Sequence, residues 1–513
     1  SYPFEPQLSE TWARKLSVDL GRGNWHSGND KTGEPIAFDS VTKAWYQRRF
    51  SMPESWRGKR VVLSAEFVER KAYVLIDGVH CGNIIWPHGE LDITEHLTTT
   101  KPATISILVA STTGGVRGLA GDVWVEARPD SPWLDEVYLI PSVQHSTLTI
   151  RGVVRNAGQD AAYQLAGRAD LNDQEVFTFA PRAAPIEADR FELTVPWPDA
   201  ARWDFDHPRI HQLRISLHDT NGTLLDETLS IRLGFREFRI DGRDFRLNGV
   251  PVHFRATFFK PGNASTGLAD EATVRRVVGR LRTQGYNLLV GSNYSSRPGQ
   301  LHYPRQFLET CDSMGMAVQL QLNKATQFMT HTEEDGWQLP PEALEQWKQA
   351  VRPQILRQRQ HPSLFFWAAN ANIFAGPEKA NPHGWALPER PTQRMPGWDN
   401  FTRILEESDD YIKEMDGARP VISLGNGNFR DVISSYVYPN FYPRQEQREL
   451  PSKWAETGLK PLMIAEWGNP ADISFSSQRD SKPQWGSVGD HAEPMPIEYS
   501  AIFDGDQAYA LDS

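Results

Sequence analysis

Apolar and polar residues alternate with a period of two through the first part of the chain, the pattern of half-buried strands. Trp45–Phe50, Arg60–Ala65 and Ala72–Ile76 have strand length and composition, and Asp77-Gly78 supplies a hairpin turn after the third. Thr104–Val109 and Asp122–Glu126 add two more strands. No helical pattern interrupts them, so residues 1–130 are expected to form an N-terminal β-sandwich of jelly-roll type. From 131 to 233 the pattern stays β, with Leu148–Val154, Arg190–Val195 and Gln212–Leu217 as half-buried strands. An immunoglobulin-like β-sandwich fits that length and strand density, although no cysteine pair marks it.

After Gly234 strands alternate with helices. Val252–Thr257 precedes a helix from about 270 to 284, Asn287–Val290 one from 303 to 314, and Ala317–Leu322 one from 341 to 360. Leu364–Ala368 precedes a long loop and a helix from about 399 to 415. Pro420–Leu424, Val432–Tyr436 and Leu462–Glu466 complete seven strands. Repeated βα units imply a parallel sheet, and residues 234–513 are expected to form a (β/α)8 TIM barrel. The eighth unit, after Asn469, has a poor pattern, so the natural protein is expected to extend beyond this chain.

Composition narrows the function classes. The 513 residues carry 54 basic and 65 acidic side chains, a formal charge of −11 that argues against a nucleic-acid partner. No apolar run is long enough to span a membrane. Cys81 and Cys311 are the only cysteines, which excludes a disulfide framework and a cysteine-based zinc site. No metal motif or cofactor signature appears, and oligomeric state is not legible. Seventeen tryptophans exceed what cores require and suggest flat platforms for the C–H faces of sugars. The chain begins at Ser1, consistent with a trimmed periplasmic or secreted form, with a cytoplasmic one not excluded.

In such a barrel the working groups lie at the C-terminal strand ends. These are Phe258 to Lys260, Ser292 to Tyr294 with Arg297, Asn323 and Lys324, Asn370 to Asn372, Tyr436 and Tyr438, and Glu466 with Trp467. Glu466 closes an apolar strand, where an unpaired carboxylate is costly, and reads as a nucleophile, an acid/base group or half of an ion pair.

His361–Trp367 resembles the strand-four segment of glycoside hydrolase family 2, the family of β-galactosidases, β-glucuronidases and β-mannosidases. Gly118–Val123 resembles the end of its sugar-binding domain, Phe245–Val252 its entry into the barrel, and Phe307–Met316 its second barrel helix. Asp431–Tyr438 and Ala465–Gly468 resemble its tyrosine and nucleophile segments. The resemblance implies a retaining β-glycosidase, β-galactosidase-like, acting on terminal β-linked sugars of oligo- or polysaccharides. It makes Glu466 the nucleophile, with Tyr438 hydrogen-bonded to it and Arg255 keeping it ionised.

The family's acid/base glutamate is missing. The chain reads Trp367-Ala368-Ala369-Asn370-Ala371-Asn372, so the position falls on Ala371 if Asn370 is the family's sugar-binding asparagine, or on Asn372 if counted from Trp367. Three explanations compete: an engineered knockout, an acid supplied by Glu333, Glu334 or Glu378, or a glycan-binding protein without hydrolysis. The family's Arg and His on strand two are replaced by Val290 and Asn293, and no Asn-x-Lys follows Glu466, which puts a typical galactoside or glucuronide pocket in doubt. Lys260, Arg297 and Lys324 follow three successive strands and suit an anionic glycan as an alternative. Trp337, Trp385, Trp398 and Trp485, in loops, and Trp467 are candidates for stacking on sugar.

Overall fold

The computed structural model describes residues 28–29, 35–36, 43–65, 68, 71–85, 89–110, 119, 123–129, 131–158, 162–187, 189–259, 271–291, 305–332, 334–370, 398–424, 427–437, 449 and 451–467. In the first part, four antiparallel strands run in the order Lys43–Phe50, Ala103–Ala110, Lys71–Ile76, Val79–Ile85. Three more run Gly89–Asp92, Arg60–Ala65, Val123–Arg128. The two sheets share one core, in which Val61, Leu63, Val74, Ile105 and Val109 are buried. The Asp-Gly turn is as the sequence requires: Asp77 (φ 48°) and Gly78 (φ 83°) are both left-handed, matching the twist of the strands they join.

The second part repeats the arrangement. One sheet orders Trp133–Ser142, Thr147–Arg155, Arg190–Pro196 and Ile186–Glu187. The other orders Gln174–Ala184, Tyr163–Leu171 and His211–Asp219, with Leu224–Glu227 and Ile231–Leu233 both paired to the last. Leu148, Ile150, Val195, Leu165, Leu213 and Ile215 from the two sheets meet in one core.

The third part is built from βα units: β1 (Ala256–Phe259), α1 (Glu271–Thr283), β2 (Leu288–Gly291), α2 (Arg305–Met314), β3 (Ala317–Gln321), α3 (Ala343–Gln358), β4 (Leu364–Asn370), α4 (Trp398–Met415), β5 (Val421–Ser423), β6 (Val432–Val437), α5 (Ser452–Thr457) and β7 (Leu462–Trp467). β1 to β5 form a parallel sheet in sequence order, and β6 and β7 form a separate parallel pair. The expected closed (β/α)8 barrel is therefore not seen among the described residues. β6 has an antiparallel strand, Gly427–Phe429, hydrogen-bonded along the edge that closure would give to β5. The first expected strand also shifts. Val250–Val252 belongs to a three-stranded antiparallel sheet with Phe238–Asp241 and Asp244–Leu247, and β1 begins only at Ala256.

Side-chain alternation gives the parallel sheet two faces. Leu289, Val318, Leu320, Leu322, Trp367 and Val421 pack on the helices through Phe307, Trp347, Val351 and Ile404. Leu288, Val290, Ala317, Ala368, Ile422 and Val432, from β2 to β6, meet one another and form the concave inner face. Below it Phe238, Phe245, Phe254, Phe365 and Phe366 interlock, with ring centroids 4.6–5.9 Å apart. The antiparallel sheet thus plugs the N-terminal strand ends.

A buried polar network joins the second part to the third. Asp416 accepts hydrogen bonds from Tyr138 Oη (2.6 Å), Trp367 Nε1 (2.6 Å) and Arg419 Nη1 (2.9 Å). Arg419 also donates to Leu364 O and His361 O at the start of β4. Replacing Asp416 by Ala leaves the Arg419 charge buried without its counter-ion, which costs about 3–5 kcal/mol. Urea denaturation of D416A should show this as a large drop in midpoint; a change under about 1 kcal/mol would mean that the network contributes little.

Candidate active site

With the N-terminal ends plugged, the C-terminal strand ends are the candidate place for a site. β3 carries the most polar stretch of the inner face. Gln319, Gln321 and Asn323 take the odd positions between the helix-facing Val318, Leu320 and Leu322, and they are 0%, 3% and 0% exposed. No side-chain amide atom of these three has a hydrogen-bond partner among the described residues. The ladder reaches one residue past the strand, through Leu322 N to Ala368 O (2.9 Å). The Asn323 carbonyl is held by Trp347 Nε1 (2.6 Å), which fixes the backbone where the loop begins. Sequence reasoning reached Asn323 but missed the two glutamines; the signal was glutamine at alternate positions of an otherwise apolar run.

Lys324 follows, almost fully buried, and burial pushes its pKa below the ordinary lysine value. Asn370 ends β4, fully buried. A β-bulge at Ala369 breaks the alternation, because Ala368 pairs with the inner-face Ile422 while Asn370 pairs with Ser423, one rung further. Asn370 is thereby turned to the helix layer, where Oδ1 accepts from Thr326 N (3.3 Å) and Nδ2 donates to Ser408 Oγ (3.2 Å). Its carbonyl accepts from Leu424 N (3.0 Å).

A second bulge lies in β7. Ser435 pairs with Ile464 but Tyr436 pairs with Glu466, so Ala465 is the extra residue. Without it Glu466 would fall in the row of Leu462 and Ile464, which pack behind the sheet with Ile433 and Trp454. With it, Glu466 shares a rung with Tyr436, two residues along β6 from Ser434 and four from the inner-face Val432. Of Glu466 and Trp467 the backbone alone is described.

The structure does not bring Arg255 to this end. It precedes β1 at the plugged side, exposed, with Nε donating to Gly285 O (2.6 Å) and its backbone N–H to Asn287 Oδ1 (2.6 Å). Trp337, in the strand Gly336–Gln338, packs against the helix-side core and stacks edge-on with His331. Lys260, Asn293, Arg297, Glu333, Ala371, Asn372, Glu378, Trp385, Tyr438 and Trp485 lie outside the described residues, as does the side chain of Trp398.

Parallel βα units packed at their N-terminal ends and carrying a polar row on the inner face of β3 are the architecture of TIM-barrel-type proteins, whose sites lie at the C-terminal strand ends. Residues 283–477 match the family model "Glycosyl hydrolases family 2, TIM barrel domain". Curated relatives include a β-galactosidase of Thermoanaerobacter pseudethanolicus, 24% identical over 64% of this chain and 44% of that protein. A β-galactosidase of Vibrio vulnificus is 23% identical over 82% of the chain and 41% of that protein. Among solved structures, Bacteroides uniformis β-glucuronidase 2 covalently bound to cyclophellitol-6-carboxylate aziridine superposes with a TM-score of 0.61 at 18% identity, over 98% of this chain and 62% of that one. An uncultured Clostridium β-glucuronidase gives 0.61 at 18% identity, over 91% and 81%. Residues 283–477 thus resemble the barrel domain of glycoside hydrolase family 2, and the chain spans less than half the length of these two curated relatives.

One further buried acid stands behind the site. Asp409, on α4 beside Ser408, is fully buried, and neither carboxyl oxygen has a hydrogen bond among the described residues; Arg430 Nε is 4.0 Å away. Burial pushes its pKa up to about 7, against the pull of Arg430 and Lys413. The folded state therefore holds this proton more tightly than the unfolded chain, and stability falls as pH rises from about 4 through about 7. Asp409→Asn should remove that decline, of the order of a few kcal/mol, from denaturation midpoints measured across the window; an unchanged pH profile would assign the proton elsewhere.

Proposed function

We propose that the chain carries the fold and nucleophile of a retaining, exo-acting β-glycosidase of β-galactosidase type, which cleaves terminal β-linked sugars from oligo- or polysaccharides. The observation that carries this reading is the rung at the end of β7, where the bulge at Ala465 gives Glu466 the register of Tyr436. A carboxylate in that row attacks the anomeric carbon, the glycosidic C–O bond breaks, and a glycosyl ester forms. Tyr438, two residues beyond Tyr436, is assigned the hydrogen bond that orients the nucleophile. The sugar contacts are assigned to Asn293, Lys260, Lys324, Trp467 and Trp485, while the Asn370 amide, engaged with Thr326 and Ser408 on the helix side, is left a positioning role at the end of β4.

The second carboxyl should protonate the leaving oxygen and then deprotonate the attacking water. Its place is assigned to residue 371 over 372. The last described residue of β4, Asn370, pairs with Ser423, and period-two alternation assigns the position after a helix-facing residue to the opposite face. The chain has Ala371 there, so alcohol leaving groups depart unprotonated and slowly, while aryl leaving groups need little assistance. Under the same reading residues 1–130 are a jelly-roll domain, 131–233 an immunoglobulin-like domain and 234–513 the catalytic domain, with the protein acting in the periplasm or outside the cell. Hydrolysis of an anionic, uronate- or sulfate-bearing glycan is the second reading, favoured by the buried Lys324 at the end of β3.

The test is phenol release from a panel of aryl β-glycosides. The present chain should react in a slow burst that Glu466→Gln abolishes. Ala371→Glu should raise turnover of natural β-linked oligosaccharides by about 10²–10⁴-fold, and Asn372→Glu should not. Equal rescue at 372 would overturn the rung assignment. If no version cleaves any glycoside while glycans still bind, the chain is a carbohydrate-binding protein on a hydrolase fold.

A further inference from the structure

We propose that Gln319, Gln321 and Asn323 form an amide column that recognises the hydroxyl groups of a neutral sugar ring and sets the site's preference for uncharged over acidic sugars. The proposal rests on the glycosidase reading and adds to it a recognition element on β3.

Three observations carry it. First, all three amides are at least nine-tenths buried, yet none of their nitrogen or oxygen atoms has a partner among the described residues. Buried side-chain amides are normally satisfied, and a row of them left open needs a ligand or water to complete it. Second, their row is the inner face, which β2 and β4 to β6 line with apolar groups: Val290, Ala368, Ile422 and Val432. Gln321 lies across from Ala368, whose side chain is a single methyl group without a polar atom to meet the amide. Third, the chemistry suits hydroxyls. A primary amide offers two donors and an acceptor without charge, which complements a hydroxyl that both donates and accepts. A carboxylate or sulfate would call for a guanidinium or ammonium in the same row. Alternate strand positions stand about 6.6 Å apart, a span comparable with the breadth of one sugar ring, so Gln321 and Asn323 reach different hydroxyls of the same residue. Gln319 lies one step deeper and closes the column.

The experiment measures both affinity and stability. Galactose, glucose, mannose and glucuronate are titrated into the purified chain and into Gln321→Leu, Gln321→Met and Asn323→Leu by calorimetry, and Tm is recorded for each protein. The chain should bind at least one neutral hexose, with glucuronate about 10-fold weaker or more. Gln321→Leu should raise Tm, because it removes an unsatisfied buried amide at similar volume, while weakening hexose binding roughly 10- to 100-fold. Gln321→Met keeps the length without the amide and should show the same loss if the leucine variant folds poorly. The proposal is overturned if the position-321 variants that fold bind hexose as tightly as the parent, if glucuronate binds more tightly than every neutral hexose, or if no hexose binds. Failure of the glycosidase reading shows separately, in aryl-glycoside chemistry that persists in Glu466→Gln while the dependence on Gln321 holds.

Discussion

The placement of β4 depends on one buried carboxylate. Asp416 sits fully buried between Arg419, Trp367 and Tyr138, and takes a hydrogen bond from each. Burying a charge is costly unless its partner and its remaining lone pairs are both provided for. Here the guanidinium of Arg419 supplies the counter-charge, and the indole and phenol supply the other donors. The same guanidinium donates to the carbonyls of His361 and Leu364, and Arg236 donates to those of Pro362 and Leu364. The start of β4 is thus clamped by two buried arginines, one of them tied through Asp416 to a tyrosine from the preceding β-rich part.

A second buried acid holds the same segment from the helix side. Asp312 on α2 accepts from Ser363 N (2.9 Å) and pairs with His361 Nδ1 (2.7 Å), and its carbonyl accepts from Trp203 Nε1 (2.8 Å). Burial pushes the Asp312 pKa up, but the His361 charge and the Ser363 hydrogen bonds outweigh it and hold the carboxyl below its ordinary value. β4 is fixed in height at its base, so the bulge at Ala369 falls at a set distance above the aromatic plug. The polar interactions that cost most to bury lie at the closed end, where they position the strands. Further along β3 the buried amides have no hydrogen-bond partner among the described residues.

Much of this was legible in the residue pattern. Four helices were expected at about 270–284, 303–314, 341–360 and 399–415, and they lie at Glu271–Thr283, Arg305–Met314, Ala343–Gln358 and Trp398–Met415. Their long amphipathic periods leave little ambiguity. Short apolar runs carry less information. Val250–Val252 and Ala256–Phe259 look alike in sequence, yet one pairs antiparallel in the plug and the other opens the parallel sheet. Arg255 was expected at the site from the resemblance, on a first strand read from Val252; that strand starts at Ala256, and the Arg255 guanidinium donates to the Gly285 carbonyl at the closed end. Closure of the sheet was not legible either, since the pairing of Gly427–Phe429 with β6 depends on tertiary contacts.

The bulges were the least legible features and have the largest consequence for the site. Period-two alternation carried through β4 and β7 places Asn370 on the inner face and Glu466 on the outer one. One extra residue in each strand reverses both assignments, and in each case the extra residue is an alanine, small enough to leave no mark on an apolar run. A family of glycosidases that sets two carboxyl groups across one bond needs both strands to present the correct face at the correct height. A one-residue slip at either strand exchanges a row facing the substrate for one facing the helices, a change that a point substitution cannot correct. On this argument the bulges at Ala369 and Ala465 work as a pair, one giving Glu466 the register of Tyr436 and the other giving Asn370 that of Ser423.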